Sequence, residues 1–176
     1  MRVMIIPGNN NSSIMSNWFP FVRDALQDMD AEVIAQDMPD PALARKDIWL
    51  PFIEKYAPDV LIGHSSGAVA IMRYLEKNPC RLAILVGAYY TDLGDYTEQQ
   101  SGYFEGAWQW DTIRKNAGSI HIFASTDDPY IPIEQARFIR DHLDAVYHEY
   151  DDQGHFGEDV QKTEFPEIVK VVQQNL

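Results

Sequence analysis

The sequence predicts a three-layer α/β domain, with a doubly wound, mostly parallel sheet between two layers of helices. Near-continuous apolar runs recur along its 176 residues, and such runs suit strands buried on both faces. Helix-spaced amphipathic segments separate them, the alternation expected of a βαβ chain. A composition that is 45% hydrophobic and 12% aromatic supports a sizeable core, and the length suits one domain over residues 1–176.

Each element follows from a local pattern. "VMIIP" (residues 3–7) reads as a buried strand running into a Gly/Asn loop. Residues 15–29 carry helical spacing through Trp18, Phe21, Val22 and Leu26. "EVIAQDM" is a second strand, and a further helical pattern begins near Pro41 and runs through Ile48, Leu50, Phe52 and Ile53. "DVLIG" is strand-like and "SGAVAIMRYLEKN" helical; "RLAILVGA" and "SIHIFAS" are further strands. A helix over 133–143, the strand "AVYHEY" and a helix over 164–174 complete the chain. One connection, between "LVGA" and "SIHIF", is long and rich in aromatics. Long structured loops often bind ligands, so Tyr103 and Phe104 are candidates for substrate binding or for packing, and Trp108 and Trp110 for packing.

The formal charge of −13 argues against nucleic acid and anionic membranes as partners, because no basic stripe is present. No apolar run approaches the roughly 20 residues that span a bilayer. The opening "MRVMIIPGNN" is interrupted too early by Pro7 for a secretory signal, and Cys80 is the single cysteine; together these predict a cytoplasmic, reducing setting. There is no H-E-x-x-H, no cysteine pair and no G-x-G-x-x-G after the first strand, so neither a metal nor a dinucleotide cofactor is expected.

The chemistry-bearing stretch is Gly63-His64-Ser65-Ser66-Gly67, a G-x-S-x-G elbow between a strand and a helix. Such a turn holds its central serine out at the carboxyl edge of the sheet. Glycines two positions either side let the backbone cross closely. Ser65 is therefore the candidate nucleophile. The N–H of Ser66, at a helix amino end, and that of Asn9, in the loop after the first strand, are candidate oxyanion donors. The chain order Ser, acid, His directs attention to two later strand ends. His155, in "DDQGHFGED", is the histidine in a loop after the final strand, and is the candidate base. "TDDP" supplies Asp127 and Asp128. Either could orient the imidazole; Asp128, stiffened by the following proline, is preferred, which leaves Asp127 as a turn-capping residue.

"IIPGN", "MPDP", "IWLPF", "IGHSSGA", "DLGD", "SGYF", "WQW", "STDDP" and "DQGHF", in this order, resemble the small serine hydrolases named after retinoblastoma-binding protein nine. The resemblance spans nearly the whole chain. It implies a compact, lidless α/β-hydrolase fold with Ser65, Asp128 and His155 as a catalytic triad, in agreement with the spacing. The Leu-x-Cys-x-Glu segment associated with pocket-protein binding is absent: the corresponding region reads "IEKYAPDV". That partner is not expected. The reading is a serine hydrolase of small ester or amide substrates, aminoacyl ones included, working through an acyl-enzyme. The alternative is a binding or scaffold protein on a hydrolase fold with little or no turnover.

Overall fold

The computed structural model describes residues 1–175. Six strands form one parallel sheet: β1 (Arg2–Ile6), β2 (Glu32–Ile34), β3 (Val60–His64), β4 (Cys80–Val86), β5 (Ala117–Ser125) and β6 (Val146–Tyr150). Their order across the sheet is β2-β1-β3-β4-β5-β6, and every neighbouring pair is parallel. The helices are α1 (Phe19–Gln27), α2 (Lys46–Glu54), α3 (Ser66–Leu75), α4 (Tyr96–Ser101), α5 (Trp110–Asn116), α6 (Ile133–Leu143) and α7 (Pro166–Gln174).

The pleat sorts each apolar run between two cores. Met4, Ile6, Leu61, Ala83, Leu85, Ile120 and Ile122 point to one face, where Trp49 and Ile53 of α2, most of α3, Ile113 of α5 and Ile139 of α6 cover them. Val3, Ile5, Val60, Ile62, Leu82, Ile84 and Phe123 point to the other, under Phe19, Val22 and Leu26 of α1 and Ile168 and Val172 of α7. Both faces are covered, which is why the strands read as continuous rather than alternating. Every residue of α3 is buried, so the helix that follows the elbow lies deep in the molecule.

Local chemistry adjusts several expected boundaries. The first helix starts at Phe19, not at residue 15, because Pro20 takes the first turn, where its missing N–H costs nothing; Met15 is exposed in the loop before it. β2 is only three residues long. The long connection is not bare loop: it contains α4, capped by the Asp95 carboxylate on the N–H groups of Thr97 and Glu98, and α5. Among the described residues no helix is long and apolar enough to cross a membrane.

The chain leaves β1 toward β2 and later returns to the far side of β1 with β3. The order therefore reverses between β1 and β3, and the carboxyl ends of those two strands flank the crevice where open α/β sheets take ligands. Asn9 follows one of these ends and Ser65 the other.

Candidate active site

Ser65 sits at the junction of β3 and α3 with φ 56° and ψ −121°, a conformation that costs an L-residue roughly 1–3 kcal/mol. The two glycines make it possible. A methyl on Gly67 would overlap the Ile6 carbonyl and lie 2.7 Å from that of Pro7. One on Gly63 would lie 2.6 Å from the Gly67 carbonyl and from Ile71 Cδ1. The turn is pinned from the sheet by the Ser65 N–H, which donates to the Val86 carbonyl at 2.8 Å. Gly8 passes directly over the serine: a methyl there would stand 3.2 Å from Ser65 Cβ and 3.7 Å from Oγ.

His155 hangs from the loop after β6. Its Nδ1 donates to Asp128 Oδ2 at 2.7 Å, leaving Nε2 as the remaining ring nitrogen. The Asp128 carboxylate is itself fixed, since Oδ1 accepts from the N–H groups of Tyr130 (2.9 Å) and Ile131 (3.0 Å). The imidazole lies against the end of β4, where a side chain on Gly87 would meet its Cε1 at 3.0 Å, and edge-on to Tyr130 at 5.3 Å. The His155 N–H donates to Asp159 at 2.6 Å.

The turn-capping bonds expected of Asp127 thus belong to Asp128. Asp127 instead reaches across to the loop that carries the histidine: Oδ1 accepts from the Gly154 N–H at 2.9 Å and from the Ser125 hydroxyl. The Ser125 hydrogen bond, with those to the backbone, holds the Asp127 carboxyl below the usual range. One aspartate holds the ring and its neighbour holds the ring's loop.

A cavity of about 600 Å³ opens over this arrangement. Ser65, His155, Asn9 and Tyr130 line it, as do Tyr89 and Glu98 from the connection after β4. A smaller lobe of about 230 Å³ continues past His64 and His155 toward Ser13, Asn17 and Glu158. Of the expected oxyanion residues, Asn9 stands on the cavity wall and Ser66 is the first residue of α3. The expected substrate-binding aromatics are elsewhere. Tyr103 is fully buried within the core and Phe104 stacks on Tyr89 at 5.7 Å; neither lines the cavity. Tyr103 and Phe104 help seal the connection onto the core, while Tyr89, Leu93, Asp95, Thr97 and Glu98 are its residues that line the cavity.

Three residues that the sequence did not single out for roles are prominent. His64, inside the elbow, is buried beneath His155 with ring centroids 4.7 Å apart. Its Nε2–H donates to the His155 carbonyl at 2.7 Å, and burial, with the neighbouring imidazole, pushes its pKa down to about 3. Glu98, 8% exposed, accepts at Oε1 from the Asn9 side-chain amide at 2.7 Å. Burial raises its pKa, against the pull of the nearby Tyr89 hydroxyl and of the Asn9 amide. Tyr89, 1% exposed, exchanges a hydrogen bond with the Ser66 hydroxyl at 3.0 Å. No sequence signal separates Glu98 from the other acidic residues of that loop.

Comparison with known proteins identifies the frame. Residues 3–174 match the model of the serine hydrolase family. The chain is 42% identical to serine hydrolase RBBP9 of Rattus norvegicus, over 99% of its own length and 95% of that protein's. It superposes on the crystal structure of the ydeN gene product of B. subtilis with a TM-score of 0.90 at 26% identity, covering 99% of this chain and 97% of that one. An esterase domain from a Rhodothermus marinus protein shares the fold, with a TM-score of 0.72 at 15% identity and coverage of 99% and 86%. On this footing the chain belongs to the serine hydrolase family, in the group that includes RBBP9 and on the α/β-hydrolase fold.

Proposed function

We propose that this serine hydrolase cleaves small esters or amides, aminoacyl ones included, with Ser65, His155 and Asp128 as its catalytic triad within a single domain. The observation that carries the reading is the 2.7 Å bond from His155 to the fixed Asp128 carboxylate, on the wall of the same cavity that the strained Ser65 lines.

Each step is assigned to one group of the site. His155 Nε2 takes the Ser65 proton as Oγ attacks the substrate carbonyl carbon. Asp128 keeps the proton on Nδ1, so the basic nitrogen faces the reaction, and it stabilises the imidazolium that forms. The carbonyl oxygen becomes an oxyanion. The N–H groups of Asn9 and Ser66 would hold it, with the α3 amino end adding its partial positive charge. The imidazolium then protonates the departing alkoxide or amine, and an acyl-Ser65 ester remains. Water repeats the sequence with His155 as base, releasing the acid and restoring the serine. A cavity of about 600 Å³ suits a small acyl or aminoacyl group.

The test pairs a fluorophosphonate probe with turnover of short-chain p-nitrophenyl esters and aminoacyl amides. The native protein should be labelled and active. Ser65→Ala should take no label and lose on the order of 10⁴-fold or more in kcat. Labelling of both proteins to the same extent would remove Ser65 from the mechanism.

A further inference from the structure

We infer that Glu98 and Tyr89 are positioning residues that clamp the two halves of the oxyanion site together from the part of the cavity wall formed by the connection after β4. The inference rests on the reading of Ser65 as nucleophile and of Asn9 and Ser66 as oxyanion donors.

The two donor residues come from segments far apart in sequence. Asn9 lies in the loop after β1, where Asn10 and Asn11 follow at φ 55° and 61°. Ser66 begins α3. The loop is tied beyond Asn9, where the Asn10 and Asn11 N–H groups donate to the carbonyls of Ala42 (3.2 Å) and Pro41 (3.0 Å), but an oxyanion donor must lie close to 3 Å from the developing charge, so the Asn9 peptide itself has to be aimed. Both residues send their side chains to the same pair. The Asn9 amide donates to Glu98 Oε1 at 2.7 Å. The Ser66 hydroxyl meets the Tyr89 hydroxyl at 3.0 Å. Tyr89 and Glu98 line the same cavity and lie close enough to interact electrostatically, which brings the pairs Asn9–Glu98 and Ser66–Tyr89 side by side.

Both members are themselves held. Tyr89 stacks on Phe104 and lies in the core. Glu98 is on α4, whose start is fixed by the Asp95 cap and whose end is tied by the Ser101 hydroxyl on the Glu98 carbonyl at 2.6 Å. A carboxylate with this little exposure, and with an Oε2 that has no hydrogen-bond partner among the described residues, is expensive to bury. A fixed amide partner in the loop after β1 gives that cost a purpose.

The clamp acts on the transition state, so its loss should lower kcat with little change in KM. The readout that isolates it is the ratio of kcat/KM for an ester over its thionoester, because sulfur accepts hydrogen bonds poorly and the ratio reports donor geometry. Glu98→Ala should lose about 10- to 100-fold in kcat, less than complete removal of a donor, and its ester/thionoester ratio should fall toward one. Glu98→Gln keeps an acceptor for the Asn9 amide and should recover most of the loss. Asn9→Ala retains the backbone donor and is safe for folding, because the residue is half-exposed; it should match Glu98→Ala, and the double variant should be no worse. A folded Glu98→Ala or Asn9→Ala with native kcat and a native ratio overturns the inference while leaving Ser65 in place. Undiminished turnover by Ser65→Ala would overturn it together with the mechanism beneath it.

Discussion

The two walls of the cavity are held by different means. On the wall of Ser65, Asp128 and His155, backbone groups fix nearly every position. The Ser65 N–H bonds to β4, two N–H groups fix Asp128, and the Gly154 and His155 N–H groups bond to Asp127 and Asp159. On the wall made by the connection after β4, side chains do much of the holding. Asn9 and Ser66 reach Glu98 and Tyr89. Behind them Arg73 donates to the carbonyls of Tyr103 (2.7 Å) and Ala107 (3.3 Å), pairs with Glu76 at 2.7 Å and lies 3.6 Å over the Trp108 ring. A turn defined by backbone stereochemistry either forms or fails. A wall pinned by side chains can be altered one residue at a time, which is where a family on one fold can vary its substrates.

That contrast can be broken most forcefully at Gly67. An added methyl meets two backbone carbonyls, neither of which can swing aside like a side chain. Gly67→Ala should cost on the order of 4 kcal/mol in urea unfolding and displace the nucleophile in whatever still folds. A variant of native stability and activity would show that the elbow is held less rigidly than its geometry implies.

Arg73→Met probes the side-chain wall. It keeps the stem's packing, leaves the Glu76 carboxylate at 10% exposure with the Gln109 N–H but no cation, and leaves several loop carbonyls without their donor. The expected loss is about 3 kcal/mol, with protease cuts concentrated in residues 102–109 and hydrolysis retained by the folded fraction. Equal protection of that segment in both proteins would mean that the aromatic packing suffices without the guanidinium.

The smallest effect sharpens the comparison at the seam. His64 is buried neutral, with a folded pKa of about 3 against an ordinary value of 6.5. The unfolded chain takes up a proton below pH 6.5 that the folded chain refuses until about pH 3. Stability is therefore complete above 6.5 and falls through that window. Between pH 6.5 and 5 the contribution is about 2 kcal/mol. His64→Gln should lose this part of the pH slope, as measured by urea midpoints at pH 7 and pH 5. Parallel slopes for the two proteins would put the buried imidazole's proton elsewhere.

The backbone-held wall was also the more legible one in the sequence. Glycines at 63 and 67 leave a mark because only glycine fits there, and strand order leads to the Asp128 turn and the His155 loop. Glu98 left no mark: a carboxylate in a polar loop reads alike whether it ends in solvent or inside a cavity, and tertiary packing decides which. For Tyr103 and Phe104 the sequence left binding and packing open, because aromatic density shows only that a loop packs down; the structure has them packed. The first helix was read four residues too long at its start, since Met15 keeps the apolar period while lying in the open. The different jobs of Asp127 and Asp128 follow from which carboxylate the turn aims inward, a matter of a single residue's register.

One further consequence concerns the rim of the sheet. β6 pairs with β5 alone, and none of its five residues is buried; the proposed base hangs just beyond it. The proposed nucleophile, by contrast, rides on a strand flanked on both sides. A fluctuation that peels away only this outermost ribbon would part the two reacting groups while most of the molecule stood intact. On warming, catalytic life would end before structural life does.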